Sequence, residues 1–497
     1  MHMEVKVEEK KNLLFFIADQ LRGDSLGVFN NQEVKTPNYD SLAAEGIAFE
    51  NAYCQNPVCV PSRCSFNTGW YPHSKGHRTI HYLLDKNDPS MMKSLKKNGY
   101  HVYLMGKSHY FHREDEEELQ ATCDYEYIGR ELTVYDVHGE MKDLSMEQIR
   151  QNPFYYSFYN GQIPKEKADN KQDDLVIERV EKMIRNRELK EPFCLYVSLN
   201  NPHPPYEVEE PWFSIINRDA VHLRTKKIEE LKDKPSTLYS IRKNQNLYGL
   251  TDQDFKEIKA TYYGMIAKLD HQLGVVLNAL KQASLYDNTH IFTFADHGDF
   301  TGDYGIVEKT QNTFEDCLVH VPLIIRPAKG TPFHNRVSSA LVELNDIPST
   351  VSELAGYEIE YTQFGKSLVH LFESEEVHHD FVLSEGGRIQ GEKQAMEGYS
   401  SHTSIYWPRM ASQNQLPDHT KAFMVRNHDY KYVYRLYEKD EFYDMKKDLF
   451  EETNRIDDPA YETEIGQMKE WLLKKLVETT DVVAMDSMLP GRIYGSE

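Results

Sequence analysis

Cys59 and Arg63 stand in the run Cys-Val-Pro-Ser-Arg-Cys-Ser-Phe-Asn-Thr-Gly, residues 59–69. A cysteine in a proline turn is most simply a buried packing residue. Here residues 62–68 read as a short helix stopped by Gly69, so the thiol falls just before a helix N-terminus, where the peptide dipoles favour an anion. Two further pairs carry metal-type donors, Asp19 with Gln20 and Asp296 with His297. Gathered in one place they suit a single divalent cation. Lys107 and His109 form Gly-Lys-Ser-His, His203 lies in Pro-His-Pro-Pro, and Lys309 ends the run that begins Asp296-His-Gly-Asp. Taken singly, such a carboxylate is a helix cap, such a lysine is solvated and such a histidine is a satisfied core residue. Together they would form a pocket for a metal ion and an anion around Cys59.

Most of these residues fall at the ends of expected strands. Residues 13–18 are a continuous apolar run, as a buried central strand requires, and the run stops at Asp19 and Gln20. Thr36-Pro37 opens a helix in cap and first-turn positions, Gly46 ends it, and residues 47–53 read as the next strand. A helix over 90–97, stopped by Gly99, leads to a strand over 100–105 and then to Lys107 and His109. Helical spacing over 173–186 precedes a strand over 193–199 that ends near His203. A long helix over 252–282 precedes a strand over 290–295 that delivers Asp296 and His297, and 321–325 is one more strand. Strands alternating with helices predict an α/β fold, a large mostly parallel sheet sandwiched by helices. Open sheets of this kind place ligands at the carboxyl ends of their strands. Beyond residue 365, short strands over 381–384, 423–426 and 430–436 and a last helix over 461–477 predict a smaller α+β subdomain with a short antiparallel sheet. The expected division is a catalytic domain over 12–365 and a subdomain over 366–497 packed tightly on it, because no Pro/Gly/Ser-rich linker separates them.

Composition sets the outer limits. With 497 residues, 40% of them hydrophobic, the chain can bury a large core. A formal charge of −22 argues against nucleic acid or an anionic membrane as partner, and an anionic substrate would need a locally basic pocket. Six cysteines are no disulfide framework, and the five-residue steps between Cys54, Cys59 and Cys64 do not match Cys-x-x-Cys zinc spacing. No apolar run approaches the length of a membrane span. As written the chain carries no export signal, so a cytoplasmic location is expected, or a periplasmic or secreted one if a signal preceded the Met-His-Met opening.

The order and spacing of the motifs resemble those of the sulfatase family within the alkaline phosphatase superfamily, over most of residues 12–330 and more weakly beyond. The pattern is of the arylsulfatase and iduronate-sulfatase-like kind, with Cys-x-Pro-Ser-Arg followed by Thr-Gly. The resemblance implies that Cys59 is oxidised to formylglycine by a formylglycine-generating or radical maturation enzyme. It implies one divalent metal ion, Ca2+ first with Mn2+ or Mg2+ as alternatives, held by Asp19, Gln20, Asp296, His297 and the modified Cys59. It further implies that a hydroxyl of the formylglycine hydrate, activated by the metal and by Asp296, attacks sulfur while Arg63 holds the hydrate and Lys107 and Lys309 contact sulfate oxygens. His203 would protonate the departing alcohol, and His109 would help remove the second hydroxyl proton so that the sulfoenzyme intermediate collapses. A sulfate ester repels nucleophiles and has a poor leaving group, so neutralisation, an activated nucleophile and an acid are what its hydrolysis needs.

Departures from the family pattern qualify the metal. Gln20 stands where a second aspartate is commoner and His297 where many members have asparagine, which removes negative charge and adds a nitrogen donor. Asn67 and Tyr304 replace an apolar residue and a histidine without removing a proposed catalytic group. The Asp-Gln and Asp-His pairs also resemble phosphonate monoester hydrolases, which act on phosphonates and phosphodiesters, whereas Lys107 and His109 favour sulfate. A third reading is an unconverted, non-catalytic protein that binds sulfated glycans. The expected substrate is a small sulfate ester, of a sugar by the family pattern; association of like chains is left open. His73, Lys75, His77, Arg78 and His81 would either grip a second anionic group or form a solvated loop. The aromatic run 154–159 would stack on a ring or pack the core, and Tyr406-Trp407-Pro408-Arg409 would reach the pocket from the subdomain if the fold allows it.

Overall fold

The computed structural model describes residues 10–129, 144–168, 172–396, 401–415 and 419–482, so the end of the expected 366–497 subdomain lies outside the described residues. Its largest sheet has eight strands: β1 (Asn12–Asp19), β2 (Ile47–Tyr53), β3 (His101–Gly106), β4 (Tyr125–Tyr127), β5 (Phe193–Pro202), β6 (Thr289–Ala295), β7 (His320–Arg326) and β8 (Arg336–Glu343). Their order is β8-β2-β7-β6-β1-β5-β3-β4. β1 lies inside the sheet between β5 and β6, parallel to both, and every one of its residues is buried. Its Leu-Leu-Phe-Phe-Ile-Ala run has no polar face because layers on both sides cover it.

β7 alone opposes its neighbours, pairing antiparallel with β6 and β2. Between β6 and β7 the only α-helix is the four-residue turn Asp316–Val319, too short for the crossover a parallel return requires. β8 is an edge strand parallel to β2 that the sequence reading missed. Its Ser338-Ser339 centre and register shift break the apolar alternation that would have marked it.

Six helices fall where the spacing placed them, α1 (Pro37–Ala44), α2 (Cys59–Thr68), α3 (Met91–Lys97), α4 (Gln172–Arg185), α5 (Asp252–Gln282) and α8 (Glu462–Thr479), while α6 (Ile347–Ala355) and α7 (Trp407–Gln413) were not expected. α2 begins at Cys59 itself, three residues earlier than the helix read over 62–68, and is buried throughout. Pro61 is tolerated in its first turn, where the backbone needs no intrahelical donor. Gly69 ends it at φ 78°, donating its N–H to Ser65 O at 2.7 Å.

A second sheet is antiparallel, with β9 (Val382–Gly386), β10 (Ala422–Arg426), β11 (Tyr430–Arg435) and β12 (Glu441–Asp444) in sequential order. Strand alternation divides its side chains between two faces. Val382, Met424 and Val433 join the core of the large sheet, while Leu383, Phe423, Val425, Tyr432 and Phe442 pack with Ile465, Met468 and Leu472 of α8. Each such buried aliphatic or aromatic side chain contributes about 1.5–3 kcal/mol. Among the described residues, no helix is long and apolar enough to cross a membrane.

Candidate active site

The carboxyl ends of β1 and β6 bring Asp19, Gln20, Asp296 and His297 together, and the N-terminus of α2 adds Cys59 and Arg63. Cys59 Sγ lies 3.2 Å from His297 Nε2, 3.7 Å from Asp19 Oδ1 and 3.9 Å from Lys107 Nζ. One donor atom from each of Asp19, Cys59, Asp296 and His297 lies within 4.8 Å of the others, and all four residues are buried. His297 Nδ1 donates to Gly298 O at 2.9 Å, which turns Nε2 toward the cluster. This donor set fits a divalent cation.

Arg63 binds the two acidic residues together. Its Nε donates to Asp296 Oδ2 at 2.8 Å, one terminal nitrogen to Asp19 Oδ2 at 3.1 Å, and the other to Ser198 Oγ at 2.8 Å and Lys107 O at 3.3 Å. Its side chain is fully buried, so the pairing is strong because water cannot compete for the guanidinium.

The lysines occupy the acceptors nearest to hand. Lys107 Nζ pairs with Asp19 Oδ2. Lys309 Nζ donates to Gln20 Oε1 at 2.6 Å, meets His203 Nε2 at 3.1 Å and pairs with Glu308 at 2.8 Å. Gln20, expected as a metal ligand, therefore turns its carbonyl oxygen to Lys309, and its amide nitrogen donates to Asp299. His109 stands beside the Cys59 thiol, and its Nδ1 is a buried atom without a hydrogen-bond partner.

Backbone conformation adds a second mark of a built site. Gln20, His109 and Glu308 hold φ of 68°, 54° and 69°, the left-handed region that costs a side chain-bearing residue about 1–3 kcal/mol. Gln20 is held there by its N–H on Asp296 Oδ1 at 3.0 Å and by Tyr262 Oη donating to its carbonyl at 2.8 Å.

Charge decides the protonation states. Burial and Asp19 push the Cys59 thiol up, but Lys107, Lys309 and His297 outweigh them and hold it well below the usual thiol range. Burial likewise opposes ionisation of Asp19, yet Lys107 and Arg63 keep its carboxyl well below the ordinary value. Asp296 moves the other way, raised by burial and by the neighbouring Asp19. Burial and Lys309 press His203 down to about 3, so its ring is neutral near pH 7, with Nδ1 donating to Pro204 O at 2.6 Å.

All the sequence-derived site residues, Asp19, Gln20, Cys59, Arg63, Lys107, His109, His203, Asp296, His297 and Lys309, fall in this one network. Ser198, Asp299 and Glu308 belong to it too and were missed. Asp299 lay inside the Asp296-His-Gly-Asp run, and Glu308 next to Lys309, so proximity in sequence was the available signal. Arg409 reaches the site indirectly, giving Glu308 two contacts of 2.9 Å. The basic segment is paired elsewhere: His73 with Glu385 and Thr479, Lys75 with Asp88, and Arg78 with Glu392. The aromatic run packs on the start of α7, with Tyr156 stacked on Trp407 at 5.7 Å and Phe158 edge-on to Tyr406 at 5.2 Å.

An open, mostly parallel sheet with buried carboxylates, a buried thiol and lysines at its strand ends places the chain in the α/β class, with its polar centre where such sheets hold ligands. The family described as Sulfatase matches residues 11–357. The chain belongs to the sulfatase family, the sulfuric ester hydrolases. It is 24% identical over 500 residues to an arylsulfatase of Clostridium perfringens (strain 13 / Type A), covering 94% of each chain. The solved phosphonate monoester hydrolase of Agrobacterium radiobacter aligns at TM-score 0.72 and 22% identity, over 95% of this chain and 96% of that one. A solved 2-O GAG sulfatase aligns at TM-score 0.70 and 22% identity, over 95% and 93%. At these identities the two structures establish the fold.

Proposed function

We propose that this protein hydrolyses the sulfate ester of a carbohydrate through the hydrate of a formylglycine derived from Cys59. The observation that carries the reading is the convergence on Cys59 of Lys107, His297 and Asp19, with Arg63 beneath them. A divalent cation, Ca2+ first, held by Asp19, Asp296, His297, Gln20 and the modified residue 59, would neutralise charge on the sulfate and on the hydrate. A maturation enzyme supplies the conversion, which gives a hydrate with one hydroxyl to attack sulfur and another to expel sulfate.

The chain's own residues do the rest. Arg63, fixed on both aspartates, holds the hydrate at the head of α2. Lys107 and Lys309 exchange Asp19 and Gln20 for sulfate oxygens, a substitution of one anionic or dipolar acceptor for another in a water-poor site. Withdrawal of Lys309 and arrival of the sulfate both raise the proton affinity of His203, whose Nε2 then serves as the acid for the departing alcohol. His109, neutral through burial, takes the second hydroxyl proton. Arg409 and Glu308 position Lys309. We also propose residues 12–365 as the catalytic domain and 366–497 as a subdomain that delivers Arg409 to it. A sugar as the alcohol is favoured by the sulfatase named for 2-O GAG among the structural relatives.

Coexpression with a maturation enzyme tests the reading. Sulfate release from an aryl sulfate and from defined sulfated sugars is compared with cleavage of an aryl phosphonate, and the Cys59 peptide is weighed by mass spectrometry. Sulfate release is expected, with sulfur at residue 59 replaced by a hydrazide-reactive aldehyde. Phosphonate turnover faster by orders of magnitude would assign the site to phosphonate hydrolysis. An unconverted thiol in protein from its native host would leave a glycan-binding protein.

A further inference from the structure

A second group of buried ligand-type side chains lies where β8, the start of α6 and the segment entering β9 meet. Asp346 precedes α6, and His378 and His379 precede β9. His379 Nε2 is 3.1 and 3.0 Å from the two oxygens of Asp346, and His378 Nε2 is 3.1 Å from Oδ2. Glu343, the last residue of β8, places Oε2 3.8 Å from His379 Nε2. Asp346 and Glu343 are fully buried and the two rings nearly so.

Hydrogen placement exposes a deficit. His370 Nδ1 lies 3.0 Å from Ser367 O, so it carries the proton and His370 Nε2 is an acceptor. His378 Nδ1, 3.4 Å from that acceptor, is then the N–H of its own ring. A neutral His378 so arranged turns a bare Nε2 toward a carboxylate oxygen, lone pair against lone pair. Charge tells the same story: among the described residues, the only ion-pair partners of Asp346 and Glu343 are these two histidines. Two buried carboxylates facing two imidazoles call for a cation between them. The N···O separations of 3.0–3.1 Å are near the roughly 3.3 Å between neighbouring ligands of a tetrahedral zinc ion.

We propose that Asp346, His378 and His379, with Glu343 beside them, form a second metal site that takes a borderline divalent transition-metal ion, zinc first. Two imidazoles and a carboxylate suit such an ion better than a hard, all-oxygen one. The site shares no ligand with the cluster around Cys59. Its place in the fold makes it a staple: Asp346 also accepts the N–H groups of Glu343 and Lys366, and Glu343 accepts that of Leu383 in β9. A bound ion would lock the edge of the large sheet to the first strand of the small one.

Chelator-stripped full-length protein reloaded with Zn2+ tests this by metal analysis and thermal denaturation. The Cys59→Ala/His297→Ala protein, stripped of the soft donors of the first cluster, is expected to keep one Zn2+ per chain and to gain thermal stability from it. His378→Gln and His379→Gln are expected to lose that ion and the gain. Should either fail to fold, visible d–d absorption of Co2+ in the Cys59→Ala/His297→Ala protein reads the same site with its ligands intact. Zinc content unchanged in both glutamine variants, or neither Zn2+ uptake nor a Co2+ spectrum in the protein lacking the first cluster, overturns the proposal and leaves a proton as the cation between Asp346 and His378.

Discussion

At the scale of single residues the site turns on Arg63, whose planar fork joins Asp296, Asp19, Ser198 and the Lys107 carbonyl in one buried knot. Charge alone does not explain it, because a lysine would bring the charge but not three nitrogens in fixed directions. Arg63→Lys, which keeps the charge and loses hydrogen bonds of the fork, is therefore expected to lower the unfolding free energy by about 1.5–3 kcal/mol, the worth of a hydrogen bond to a charged group. A loss below 1 kcal/mol in a urea titration would mean that the knot adds little to the fold. Sequence reached Cys59, Arg63 and the paired donors because their identities stand in short runs with characteristic spacing. It did not reach Ser198, whose hydroxyl meets Arg63 across 135 residues, nor the His378-His379 pair, which acquires meaning only when the turn after β8 delivers Asp346. The segment of His73 and Arg78, open to reading as a grip on an anion or as a solvated loop, could not be resolved for the same reason: Glu385 and Glu392, which pair with those side chains, are remote in sequence.

Elements place these residues through close backbone contacts as much as through hydrogen bonds. The end of β3 illustrates it. Gly106 sits at φ 90°, and a Cβ there would lie 2.1 Å from Ser198 O, the atom that accepts the Lys107 N–H at 2.8 Å. Lys107 thus depends on β3 and β5 meeting without a side chain between them. Gly99 has a similar φ, 84°, but nothing within 4 Å of its would-be Cβ. Gly99→Ala is expected to cost only the left-handed backbone penalty, about 1–2 kcal/mol, with activity retained. Gly106→Ala is expected to cost more and to lower kcat about 10²-fold by displacing Lys107. Equal loss in both variants, measured by denaturation and by sulfate release, would refute the role given to the close approach. Strand order was less legible than strand position. β1 announces itself by an unbroken apolar run and β6 by the Asp-His-Gly-Asp motif at its end, whereas the reversal of β7 depends on the shortness of its connection, and β8 is an edge strand whose serines conceal its period.

For the molecule as a whole, the depth at which it buries histidine sets its response to acid. His290 lies within β6 and accepts the Ala328 N–H at Nδ1 at 3.1 Å, a bond available only to the neutral ring. Burial, aided by Lys11 and Arg326, lowers it to about 4, and burial brings His419 to about 3. Unfolded, each ring would protonate near 6.5. Between these limits the unfolded chain binds a proton that the folded chain refuses, so stability is full above pH 6.5 and falls as the pH drops toward the folded value. For His290 the loss amounts to about 3 kcal/mol by pH 4. His290→Asn keeps an acceptor for Ala328 and removes the titration, so its melting temperature should decline less steeply than that of the unaltered protein between pH 6.5 and 4. Parallel profiles for the two would place the acid sensitivity elsewhere, with the carboxylates that Arg63 and the lysines hold ionised as the next source to examine.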